Sequence, residues 1–179
     1  LISILSLLII SCGVKDSPFV DHYKSGQIRS EGTYKNGNLD GDWIFYYDNG
    51  KIQSKGNYKD GVQDGDWIFY YDNGQVQQKE FRKDGYIEGE IISYFVNGNI
   101  KEVVFQKNKM VEGILREYYE NGNLKFEKNY INGKLSGKWL RYYETGELLK
   151  EGNCENNFFQ GLFTTFHKNG SKKEELYYK

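Results

Sequence analysis

The chain of 179 residues is short of the side chains that enzymes use most. It has two histidines, one methionine, one proline and two cysteines. His22 and His167 lie at opposite ends, so no histidine pair is available for acid–base or metal chemistry, and no cofactor is expected. Net charge is -1, with basic residues spread rather than striped, which argues against a nucleic-acid partner and against steering of an acidic substrate. No glycine-rich loop leads into a helical pattern; the Asn-Gly pairs are hairpin chemistry, not phosphate cradles. Acidic pairs such as Asp64-Asp66 and Glu88-Glu90 read as solvated turn charges, with weak cation binding as the other possibility. On these grounds the chain is not expected to be an enzyme.

What is present is 16 tyrosines, 21 glycines and an aromatic content of 17%. Tyrosine-rich, glycine-punctuated and proline-poor is a β composition, too aromatic and regular for disorder. The residues also repeat. Gly41 to Asp64 reads GDWIFYYDNGKIQSKGNYKDGVQD, and Gly65 to Glu88 opens GDWIFYYDNG again. A leading glycine recurs every 24 residues at Gly41, Gly65, Gly89, Gly113, Gly137 and Gly161. Ser17 starts a first copy in which Phe19, Tyr23, Gly26, Ile28, Gly32, Tyr34 and Gly37 fall on the same template. A period of this size marks an array whose units bury apolar faces by stacking on neighbours.

Each copy reads as two strands. The first is Asp42 to Tyr47 and its equivalents, followed by a turn such as Asn49-Gly50, where Asn-Gly suits a type I′ hairpin with positive φ at both positions. The second is Lys51 to Tyr58, followed by Asn36-Gly37, Asp60-Gly61 or a relative. Asn108-Lys109 and Asn156-Asn157 lack the glycine, which predicts looser turns. No connection is long enough for a crossover helix, so the fold class is all-β: about seven 24-residue antiparallel hairpins forming one elongated, twisted meander sheet. One hairpin buries about three large side chains at roughly 1.5–3 kcal/mol each. Ordering its backbone costs about 1–2 kcal/mol per residue, so no copy stands alone.

Parity assigns the faces. Trp43, Trp67, Ile91, Leu115, Trp139 and Phe163 share one side with Tyr47, Ile52, Gly56 and Tyr58, and this is the expected core face. The glycines fit it where a cross-strand ring covers a missing side chain. Phe81 and Phe105 sit one position before the Tyr58 equivalent, with Arg82 and Gln106 in its place, which predicts a local bulge. Cys154 takes a tyrosine position and reads as a small apolar filler. The last copy ends in Lys172-Lys173-Glu174-Glu175, charge suited to a protected sheet edge. On the opposite face Tyr46, Tyr70, Tyr94, Tyr118 and Tyr142 form a ladder, extended by His22 and Phe166, with a repeat of about 9.6 Å. These tyrosines are either packing elements or a recognition stripe for a protein, a glycan or a lipid surface.

The chain opens LISILSLLIISC, with no initiating Met and no basic flank, as if its start lay further upstream. Leu1 to Ile10 would span about 15 Å as a helix, too short to cross a bilayer but suited to a signal peptide. Ile9-Ile10-Ser11-Cys12 resembles the bacterial lipobox, whose cysteine is lipidated. Residues 1–11 are therefore expected to be a lipoprotein signal peptide, 12–17 a tether beginning at lipidated Cys12, and 18–179 the repeat domain. The protein would be lipid-anchored in a bacterial cell envelope.

The unit G-x-W-x-x-Y-Y-x-N-G-x-[LI]-x-x-x-G-x-Y-x-[ND]-G resembles the bacterial MORN-type repeat variant found in proteins often labelled YwqK-family antitoxins. The likeness runs from Phe19 to Lys179. It implies a non-enzymatic protein-binding or scaffolding module, some of which associate with membranes. An antitoxin-like neutraliser and a glycan-binding module using the tyrosine ladder stand as alternatives. The export signal departs from a cytoplasmic antitoxin.

Overall fold

The computed structural model describes residues 16–179. The expected signal peptide, Cys12 and most of the expected tether lie outside the described residues. Strands β1 (Ser17–His22) and β2 (Ile28–Lys35) form the first hairpin, and β3 (Asn38–Tyr46) and β4 (Ile52–Lys59) the second. The third comprises β5 (Val62–Gln63), β6 (Gly65–Tyr70) and β7 (Val76–Lys83), and the fourth β8 (Tyr86–Tyr94) and β9 (Ile100–Lys107). The fifth comprises β10 (Met110–Val111), β11 (Gly113–Tyr118) and β12 (Leu124–Ile131). Then come β13 (Lys134–Tyr142) with β14 (Leu148–Glu155), and β15 (Phe158–Phe166) with β16 (Lys172–Tyr178).

All sixteen strands lie in one open antiparallel sheet in chain order, a meander as the repeat pattern implies. β5 and β10 pair with β4 and β9 as the short leading ends of β6 and β11. Among the described residues there is no helix.

The type I′ geometry expected after each first strand is not found there. After each first strand only the glycine has positive φ, as at Gly50 (+78°), Gly74 (+92°) and Gly122 (+90°). The Gly50 N–H donates to the Tyr47 carbonyl at 2.9 Å and the Tyr47 N–H to the Lys51 carbonyl at 2.8 Å, which leaves Gly50 as the extra residue; a separate register skip follows at Gln53. That is a type I turn closed by a glycine bulge, not a type I′ turn. Asparagine is used here for its amide: Asn49 Oδ1 accepts from the Lys51 N–H at 3.0 Å, closing its own turn. The type I′ geometry belongs to the other turn class, with φ 51° and 81° at Asn36 and Gly37. Asn108-Lys109 (51° and 65°) and Asn156-Asn157 (50° and 74°) keep it without glycine, so those turns are as tight as the rest.

The core lies where parity puts it except at Ile52, which the register skip at Gln53 pairs with Tyr46 and so turns to the opposite face. Trp43, Trp67 and Phe163 are 1–2% exposed, and Ile91 and Val104 are buried beside them. Each large ring lies over a glycine of the preceding hairpin. A Cβ on Gly32 would sit 2.3 Å from Trp43, one on Gly56 2.4 Å from Trp67, and one on Gly152 2.5 Å from Phe163. The leading glycines obey a different rule. A Cβ on Gly41 would meet nothing within 4 Å; its φ of +75° is what demands glycine, inside a bulge where Gly32 faces the run Gly41–Trp43. Phe45 and Phe69 join the same face, stacked on Trp43 and Trp67 at 5.9 and 6.0 Å.

Copies three and four do not slip. Gly65 pairs with Arg82 and Gly89 with Gln106, as Gly41 pairs with Tyr58. The expected extra bulge is absent because Phe81 and Phe105 simply point to the other face, where they are 42% and 43% exposed. On the core face the glycine is replaced by Glu80, buried with its carboxylate 2.5 Å from Arg82 Nε and from Gln78 Nε2. A buried charge requires such a partner, so Arg82 in a tyrosine position and Glu80 in a glycine position are one exchange. Cys154 is buried, and burial pushes its thiol pKa up, in keeping with a filler.

Candidate interaction surface

The five ladder tyrosines, Tyr46, Tyr70, Tyr94, Tyr118 and Tyr142, end β3, β6, β8, β11 and β13 and are all half-buried. The structure brings them into one row, on the side of the sheet opposite Trp43. Their surroundings differ in charge. Tyr46 donates to Glu31 Oε1 at 2.5 Å, and this bond raises its pKa to about 12, with burial and the Glu31 charge adding to it. Lys79 Nζ stands 5.9 Å from the Tyr94 ring centroid. Burial raises the Tyr142 pKa, helped by the negative charges of Glu127 and Glu151.

Beneath this row runs a seam that single-copy pattern reading missed. The tyrosine after each ladder residue donates its hydroxyl to the ladder carbonyl of the next copy: Tyr23 to Tyr46 at 2.6 Å, Tyr47 to Tyr70 at 2.7 Å, Tyr71 to Tyr94 at 2.6 Å. Tyr119 bonds to Tyr142, and Tyr143 to Phe166, both at 2.9 Å. Phe95, without a hydroxyl, interrupts the series. Turn asparagines add a parallel seam, with Asn49, Asn97 and Asn121 Nδ2 donating to Asp72, Glu120 and Glu144 carbonyls at 2.9–3.1 Å. The signal was present in the spacing, since donor and acceptor lie 23 residues apart in every case.

The ladder face also carries shallow grooves at the copy junctions, where the glycine bulge opens the sheet. One of about 490 Å³ is lined by Asp42, Ile44, Lys55, Asp66 and Ile68. The next, about 450 Å³, has the equivalent Asp66, Ile68, Lys79, Glu90 and Ile92, with Phe81 replacing Asn57. Asp64 and Glu88 are occupied elsewhere: Asp64 accepts the Asp84 N–H at 3.4 Å and Glu88 the Asn108 N–H at 3.1 Å, holding the following turns. Among the described residues no group of three His, Cys, Asp or Glu side chains is placed to hold a metal ion.

Stacked hairpins in one sheet, bonded copy to copy by hydroxyls, amides and rings on glycines, define an all-β repeat protein. The chain belongs to the MORN repeat variant family, whose model matches residues 17–36, 39–60, 63–84, 111–132, 135–156 and 159–179. MORN repeats are non-catalytic modules that generally bind proteins or membranes. The stretch between 84 and 111, without a match, holds the fourth hairpin, which carries Ile91, Val104, Phe95, Gln106 and Lys109 at template positions and still folds in register. No curated protein matches the chain.

Proposed function

We propose that this protein is a non-enzymatic binding module of a bacterial cell envelope, held to the membrane by a lipid on Cys12, whose sheet docks another protein across the tyrosine ladder. The observation that supports this most is the ladder face itself. It presents half-exposed aromatic and isoleucine rows at a fixed repeat beside carboxylates, an amphipathic surface of the kind proteins use for partners. On the core face the largest rings, Trp43, Trp67 and Phe163, are taken up by packing over glycines of the preceding hairpin.

Affinity capture of the envelope protein from crosslinked cells tests the reading. Tyr70→Ala and Tyr94→Ala should each reduce the captured partner without loss of folding. Retention of the partner by both variants would remove the ladder from the interface, and binding to a glycan array instead would reassign its ligand. Anchoring is checked separately: Cys12→Ala should move the protein out of the membrane fraction.

A further inference from the structure

The ladder face changes character along the array, and the change is symmetric about β9. One row crosses the sheet through direct register partners, from Ile44–Lys55 and Ile68–Lys79 through Ile92–Val103 to Arg116–Glu127 and Leu140–Glu151. Between β3 and β9 the charges in this row are Lys55 and Lys79, and on β12 and β14 the acids are Glu127 and Glu151; towards the two ends of the sheet the row carries Glu31 on β2 and Glu175 on β16. The neighbouring row reverses too, with Asp66 on β6 and Lys138 on β13. Among the described residues, Lys55, Lys79, Asp66, Lys138 and Glu151 take part in no ion pair. At the centre, β9 presents Val103 and the exposed Phe105, flanked by exposed Phe81 and Ile114. This is the hairpin that departs most from the repeat, and its departures put apolar groups on the outside.

We infer that the occupant of the ladder face is a second copy of this chain, packed face to face about a two-fold axis along β9. The inference rests on the reading of the ladder as a protein-docking face and names its partner. A two-fold axis along a strand reverses the order of strands, so the strands at equal distance on either side of β9 meet. Val103 and Phe105 then meet their own equivalents. Lys79 on β7 faces Glu127 on β12, and Lys55 on β4 faces Glu151 on β14. Asp66 faces Lys138, and Tyr94 and Tyr70 meet Tyr118 and Tyr142. Every contact occurs twice. Two sheets packed this way share an apolar centre and a charged rim, the anatomy of a stable interface. The same face offers no such match in the unreversed order, where lysine would lie over lysine. The mismatches are Arg116 with Ile92, Glu90 with Ile114 and, at the outer strands, Glu31 with Glu175; Arg116 is already met by Glu127 at 2.9 Å, Glu31 by the Tyr46 hydroxyl and Glu175 by Lys172.

The test is sedimentation equilibrium of the full chain, with charge reversals. The wild-type chain should be dimeric. Lys55→Glu alone places Glu over Glu151 twice, and Glu151→Lys alone places Lys over Lys55 twice; each should weaken the dimer by about a hundredfold or more. Mixed together, the two variants restore opposite charges at both positions and should form a heterodimer. Circular dichroism that matches wild type shows that each variant is folded. A monomeric wild-type chain, or a dimer indifferent to both reversals, overturns the inference. If the chain is monomeric yet Tyr70→Ala and Tyr94→Ala still lose a captured protein, the dimer is wrong and the docking face stands.

Discussion

The indole of Trp67 lies so close over Gly56 that a methyl group on that glycine would be 2.4 Å from the ring. Trp67 is not the hairpin partner of Gly56. That partner is Trp43, whose own ring leans back over Gly32. The rings therefore knit each hairpin to the one before it, and a copy without its predecessor leaves its largest side chain uncovered.

Gly56→Ala is predicted to cost about 1–3 kcal/mol, the usual penalty of overpacking a closed site. The fourth junction shows how the site can be rebuilt, with Val104 beneath the leucine of the next copy. Gly56→Val combined with Trp67→Leu should accordingly be more stable than Gly56→Val alone. Urea midpoints at constant slope measure both.

Hydroxyl bonding across the seam makes an addition as informative as a deletion. Tyr71→Phe should lower stability by about 1 kcal/mol, the net value of one hydrogen bond. Phe95→Tyr should raise it by a similar amount, because the hydroxyl would reach the Tyr118 carbonyl as its equivalents do elsewhere. Thermal unfolding of the two variants should move in opposite directions.

Glu80 and Arg82 should behave as a unit. Arg82→Met leaves a buried carboxylate without its guanidinium and should cost about 3–5 kcal/mol. The triple change Glu80→Gly, Arg82→Tyr and Ile91→Trp copies the junction of the second and third hairpins onto that of the third and fourth and should recover wild-type stability or exceed it. Chemical denaturation of both variants decides whether the ion pair is needed or merely self-consistent.

Alkaline stability should depend on Tyr46. Its pKa is raised from about 10 to about 12 in the folded chain. Between those values the unfolded chain has released the phenolic proton and the folded chain has not, so stability falls as pH rises through that window. Below about pH 10 the contribution is fully present. Tyr46→Phe should flatten this part of the stability–pH curve, read from denaturation midpoints at a series of pH values.

Much of the fold was legible because identical residues recur at one spacing. The period gave the array, and alternation from Trp43 gave the core column. By the same alternation Phe45 and Phe69 belong to that column. The second tyrosine of each pair was harder to place, because its acceptor is a backbone carbonyl 23 residues away and a carbonyl carries no residue signature. Asn49 misled for a related reason: Asn-Gly is common to two turn classes, and only the bulge at Gly50 distinguishes them. The ladder tyrosines end equivalent strands, as the 24-residue period implies. Their differences came only with the fold, since Glu31 reaches Tyr46 from the preceding hairpin and Glu127 approaches Tyr142 in the same way.

The boundary between β9 and β11 lacks two of the braces found at other copy boundaries. It has Phe95 where a hydroxyl would be and a valine where a glycine would receive a ring. Amide protons there should exchange with solvent sooner than those on either side. Pulled from its two ends, the ribbon should part first at that line, leaving two blocks, each with its own aromatic cluster, one from Phe19 to Phe69 and the other from Phe126 to Tyr178.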